Sequence, residues 1–112
     1  MSTPTERLLL VHDAFSKAYA RRAGDLKQAT SNAQADRILR NVDSLETSYL
    51  KAAKQALDAT GSEVEAAFRD AKAAQQAIDD AYQGAKALAE RIRLAGSIAQ
   101  SIGSLVRKAA GA

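Results

Sequence analysis

The stretch VEAAFRDAKAAQQAIDDAYQGAKALAERIRLAGSIAQSIGSLVRKA, Val64 to Ala109, decides the fold. Its apolar residues keep a seven-residue repeat with no change of phase. One column is Val64, Ala71, Ile78, Ala85, Ile92, Ala99 and Val106, and the other is Ala67, Ala74, Ala81, Leu88, Ala95, Ile102 and Ala109. A strict repeat of this length predicts a helix with left-handed coiled-coil geometry. Alanine at so many of these positions predicts closely approaching helices, because small side chains set a short interaxial distance. The pattern is carried by the Val, Ile and Leu residues of the two columns, since an alanine-rich chain fills any frame easily. It predicts one long helix over 63–110, with a possible break at Gly96, where Ser97 and Gln100 form a further Ser-x-x-Gln cap.

Upstream, Thr3-Pro4-Thr5-Glu6 reads as a helix start, with Thr3 as cap, proline at the first helical position and Glu6 reaching back. Leu8, Val11, Phe15, Ala18 and Tyr19 follow at helical spacing as the expected core face. Asp13 and Lys17 form an i,i+4 pair on the other side. Ser31 and Gln34 supply the next capping box, and Ala35, Ile38, Val42, Leu45, Tyr49, Ala52, Ala56 and Ala59 a second amphipathic run. Thr60-Gly61-Ser62, with Glu65 three residues after Ser62, marks a stop and a new start. The reading is a single all-α domain over 1–112, an antiparallel helical hairpin or three-helix bundle with helices at roughly 4–30, 32–60 and 63–110. These would run about 39, 44 and 72 Å at 1.5 Å per residue. The last, if unbroken, overhangs its partners and invites a second chain.

Composition agrees with this reading and excludes much else. Alanine supplies 26 of the 112 residues, proline one and cysteine none. That balance favours helix and a thin core, leaves too few turn residues for a many-stranded domain, and removes disulfides and thiolate sites. The net charge is +3 at pH 7, and the stretch 86–112 holds only Glu90 against Lys86, Arg91, Arg93, Arg107 and Lys108. No run is long and apolar enough for a signal peptide or a bilayer span, so a cytoplasmic location is expected, with signal-less export left open.

Candidate chemistry is sparse. His12 is the sole histidine, and without cysteine it cannot build an ordinary zinc site. No serine sits in a nucleophile elbow, and the pairs Asp79-Asp80 and Glu63/Glu65 diverge on a helix surface. No catalytic, metal-binding or cofactor-binding residues are expected. Gly84, Gly96 and Gly103 fall in the expected helix interior, where each costs about 1 kcal/mol. Gly96 and Gly103 share a column with Ala89 and Ala110, which reads as close approach by a partner helix.

A helical hairpin of this length resembles the small secreted hairpin proteins of bacteria, but their Trp-x-Gly turn is absent, as the chain has no tryptophan. Alanine-rich coats of storage granules share the composition alone. The expected function is non-enzymatic binding and assembly, with itself or a protein partner, through the C-terminal helix. The expected contact residues are Ile92, Ala95, Gly96, Ile98, Ala99, Ile102, Leu105, Val106, Arg107 and Lys108. A basic flank on a wide apolar stripe also suits a membrane- or granule-surface coat, the second expectation. Nucleic-acid binding is the third, disfavoured by acids beside most basic residues and by the lack of aromatics in the basic tail.

Overall fold

A computed structural model describes residues 1–111, and among them the chain is entirely helical apart from its connections. Four helices form: α1 (Pro4–Gln28), α2 (Asn32–Lys54), α3 (Ser62–Gln83) and α4 (Leu88–Ala109). The all-α bundle is as expected, whereas the third helix of 63–110 is in fact two. The break lies at 84–87, and Gly96 sits inside α4. Its cause is a Schellman closure: Lys86 N–H donates to Ala81 O at 2.9 Å and Ala85 N–H to Tyr82 O at 3.3 Å. Ala85 takes the left-handed conformation this motif needs, with φ of 51°, one residue after the glycine that would adopt it freely.

Folding back turns the seam on itself. Val64, Ala67, Ala71, Ile78 and Ala81 of α3 are buried, as are Ile92, Ala99, Ile102, Val106 and Ala109 of α4. Ala74, Leu88 and Ala95 are half-buried and Ala85, in the turn, is exposed. The alanine face of α3 lies against the bulky face of α4, where Ile98, Ile102, Leu105 and Val106 are almost fully buried. Small against large lets the two helices close tightly, and α3 with α4 is the most intimate pair in the molecule. The overhang expected of a 48-residue helix is thus absent, and the molecule measures 43 × 25 × 18 Å.

The chain forms two antiparallel hairpins, α1–α2 and α3–α4, set side by side. α2 lies along α4, α1 touches α3 and, diagonally, α4, and α2 does not reach α3. The crossover 55–61 joins the hairpins. It also explains why α2 stops at Lys54 rather than Thr60 without a local glycine or proline. Leu57 is buried, Ala59 N–H donates to Ala109 O at 2.9 Å, and Arg7 captures the carbonyls of Leu57 and Ala59 at 2.7 and 2.9 Å. Tertiary partners satisfy these backbone groups better than another helical turn would.

The caps follow the sequence closely for α1, where both bonds of the Thr3/Glu6 box form. For α2, Ser31 caps Gln34, but the Gln34 side chain accepts from Thr30 instead. For α3 the expected Ser62/Glu65 box is absent. Gly61 is the cap residue at φ 127°, a conformation that favours glycine, and Glu65 instead binds Ser2 and Arg7.

α1 departs most from its expected face. Its buried residues are Arg7, Val11, Ala14 and Asp25, while Leu8 and Tyr19 are 39% and 51% exposed. The helix is rotated so that two charged residues turn inward to partners, and two large hydrophobics turn out. Arg7 is 1% exposed, yet all five of its N–H groups are used, on Ser2, Leu57, Ala59 and Glu65.

Candidate functional site

The ten residues expected to meet a partner divide sharply. Ile92, Ile98, Ala99, Ile102, Leu105 and Val106 are buried within the chain's own core. Ala95 and Gly96 are half-buried, and Arg107 and Lys108 are exposed. What α4 presents to solvent beside α2 is a shallow groove, floored by Gly96, Ala99 and Gly103 and edged by Arg40, Asp43 and Arg107. An added Cβ at Gly96 would lie 3.9 Å from Asn41 Oδ1, and at Gly103 3.5 Å from the Arg107 guanidinium. Both are ordinary contacts, so internal packing does not require either glycine.

The exposed apolar surface lies elsewhere. Among the described residues the exposed large hydrophobics are Met1, Leu8, Leu9, Tyr19, Leu39 and Leu50, all on the first hairpin or just ahead of it. Along α1 they belong to one outer row: Leu8, Leu9, His12, Ser16, Tyr19, Ala20 and Ala23 are all exposed. His12 is its only basic side chain and it contains no acid. Of this row, His12 lies 5.3 Å from the Tyr49 ring of α2, on which Phe15, half-buried beside the row, stacks at 5.5 Å. Phe15 in turn meets Tyr19 edge-on at 6.0 Å.

Arg22 lies over the Tyr19 ring at one edge of the row, 4.4 Å from its centroid, while Asp13, Lys17 and Arg21 serve the α3 side of α1. Lys17 bridges Asp13 at 3.1 Å and Asp79 at 2.8 Å, and Arg21 meets Asp79 at 3.0 Å. Burial alone would raise the Asp79 pKa, but hydrogen bonds from Lys17, Arg21 and Gln75 outweigh it and hold the carboxyl below its usual value. The Asp79 hydrogen bond correspondingly raises Lys17, ahead of an opposing burial effect.

Deeper, where α1 and α3 end and α4 begins, lies a polar cluster. Arg91 pairs with Asp25 at 3.4 Å and donates to Gln28. The Tyr82 hydroxyl donates to Asp25, and the guanidinium groups of Arg21 and Arg91 lie over its ring, 4.1 and 4.9 Å from the centroid. Burial first, and then the Asp25 carboxylate, push the Tyr82 pKa well up, so this phenol is a hydrogen-bond donor at any ordinary pH.

His12 Nε2 lies 3.4 Å from Ser16 Oγ on an exposed turn, but the His12 ring packs on Tyr49 and no carboxylate orients it, as a nucleophile–base pair requires. Among the described residues no group of three or more His, Asp or Glu could hold a metal ion, and no helix is long and apolar enough to cross a membrane. Comparisons with protein-family models, curated proteins and solved structures returned no match.

Sequence reasoning missed Arg7, Asp25, Gln75 and Arg91 as buried groups. A signal was present: Arg7 and Asp25 stand in the same helical column as Val11, Ala14 and Ala18, and Gln75 lies between Ala71 and Ile78. A polar residue inside an apolar column is the mark of a buried, partnered side chain.

Proposed function

We propose that this chain is a non-enzymatic helical binding and assembly protein, whose partner is a second copy docked on the outer face of α1. The observation that carries the reading is the uncharged exposed row from Leu8 to Ala23. Exposed hydrophobics scattered singly are ordinary, whereas a contiguous strip marks an interface. The row is its own complement. Take an antiparallel pair with a two-fold axis midway between His12 and Ser16. Leu9 then faces Tyr19 of the second copy, Leu8 faces Ala20, and His12 faces Ser16. Every contact occurs twice, as an isologous interface demands. The two Leu9–Tyr19 contacts stand about 15 Å apart on the helical rise. An anionic membrane or a phosphate backbone would look for a cluster of cations here, and the row offers only His12 and, over the Tyr19 ring, Arg22. The C-terminal helix, expected to make the contact, serves in this reading as the core on which the first hairpin rests.

Sedimentation equilibrium is the direct test. We expect the 11.8 kDa chain to dimerise with concentration, and Tyr19→Ala to weaken the dimer about tenfold, as central aromatic residues do. Leu9→Arg with Tyr19→Arg should give a monomer with unchanged helicity. A wild-type chain that stays monomeric at every concentration, or a dimer indifferent to the double substitution, removes the proposal.

A further inference from the structure

We infer that the bundle centre holds an internal water-binding site, in which water joins Gln75 of α3 to Arg91 of α4. A cavity of about 30 Å³ lies between the helices, walled largely by apolar side chains that include Ala14, Ala18, Ile78 and Ile98. Gln75 and Arg91 also line it, and they are 6% and 9% exposed. Gln75 Oε1 and Arg91 Nε are the two buried side-chain atoms with no protein partner among the described residues. One accepts and the other donates. Leaving such groups buried and unpaired is costly, and a bridging molecule relieves it.

Neither side chain can turn away. Gln75 Nε2 donates to Asp79 Oδ1 at 3.0 Å, so flipping the amide would set its oxygen against a carboxylate. The outer nitrogens of Arg91 are held by Asp25 and Gln28. The chemistry required of the occupant follows. It must donate to Gln75 and accept from Arg91, which suits a neutral molecule better than a cation or an anion. It must also be small: about 10–15 Å³ admits a water, whereas an engineered cavity that took up benzene measured some 150 Å³. One or two waters fit both limits. They would complete the polar cluster of Asp25, Tyr82 and Arg91, which also line the cavity.

Oxygen-17 relaxation dispersion on the whole protein tests this, with Ala18→Val as the variant that fills the cavity from α1 and leaves Gln75 and Arg91 in place. We expect a long-lived water in the wild type, its loss in Ala18→Val, and a lower Tm for the variant, whose two polar atoms lose their partner. No long-lived water in the wild type overturns the inference, as does a signal that survives the substitution or a variant of higher Tm. Should Ala18→Val fail to fold, a high-resolution crystal structure of the wild type decides. Water within hydrogen-bond distance of both Gln75 Oε1 and Arg91 Nε supports the site, and an empty or differently filled cavity overturns it.

Discussion

Arg7 and Leu57 are fifty residues apart in sequence, yet the Arg7 guanidinium donates to the Leu57 carbonyl at 2.7 Å inside the bundle. The same side chain reaches Ala59, Ser2 and Glu65, tying the start of α1, the crossover and the start of α3 together. Lysine cannot replace it, because three donors on one nitrogen cannot span these acceptors. We expect Arg7→Ala to cost about 3–5 kcal/mol, the range for breaking a buried charged network. Arg7→Lys should recover only part of that loss. Urea unfolding of both variants checks this, and a change below about 1 kcal/mol for Arg7→Ala would contradict the keystone role.

Acid should loosen the same region. The Ser2 backbone N–H, and then the Ser2 hydroxyl and Arg7, hold Glu65 below its ordinary value of 4.5, while Asp79 lies below its ordinary 3.8. A carboxylate whose folded pKa is depressed contributes stability that is fully present above the unfolded pKa and lost as pH falls through the folded one. Stability should therefore vary little from neutral pH down to about 5 on account of these groups, then fall steadily below the ordinary values. Urea midpoints between pH 7 and pH 2.5 measure the slope, and Glu65→Gln should make it shallower.

Ala85 stands at φ 51°, where an L-residue is strained by about 1–2 kcal/mol. Glycine there relieves the strain but adds freedom to the unfolded chain, so Ala85→Gly should stabilise by about 1 kcal/mol or somewhat less. Gly84→Ala should do the opposite, since its Cβ would press on Asp80 O at 3.2 Å. Thermal unfolding of the two variants should move Tm in opposite directions.

Gly103 offers the converse case. Its Cβ would meet only the ends of the Arg107 and Ser48 side chains, at 3.5 and 3.8 Å. Gly103→Ala should raise helix stability by up to about 1 kcal/mol and, if α1 carries the dimer contact, leave the dimer constant unchanged. A dimer weakened by this substitution would instead point to the α2/α4 groove.

Much of the fold could be read from residue order, and its limits have a physical cause. Ile38, Val42, Leu45 and Ala52 of α2 lie inside, as their spacing predicts, because an apolar stripe alone sets that face. The turn at 84–87 escaped because Ala81 and Leu88 stand seven residues apart, so the repeat runs through the turn in phase. A seven-residue frame specifies which faces are apolar and says nothing of whether the seam meets another chain or itself. The face of α1 differs from the expected one because Arg7 and Asp25 turn inward to Glu65, Tyr82 and Arg91, partners on helices far along the chain. The apolar column marks Arg7 and Asp25 as inward-facing, but which distant groups they meet has no local signature. Of the ten α4 residues expected to meet a partner, six bury their apolar area against their own chain.

The crossover has a kinetic side. Each hairpin is closed by a short connection, 29–31 or 84–87, so its contacts form at little loop-closure entropy. The bond from Arg7 to Glu65, and the crossover's own bond from Ala59 to Ala109, must wait until both hairpins exist and have found each other. They are thus late to form on folding, and their loss shows in the unfolding rate rather than the folding rate. Arg7 sets how long the molecule stays shut once it has closed.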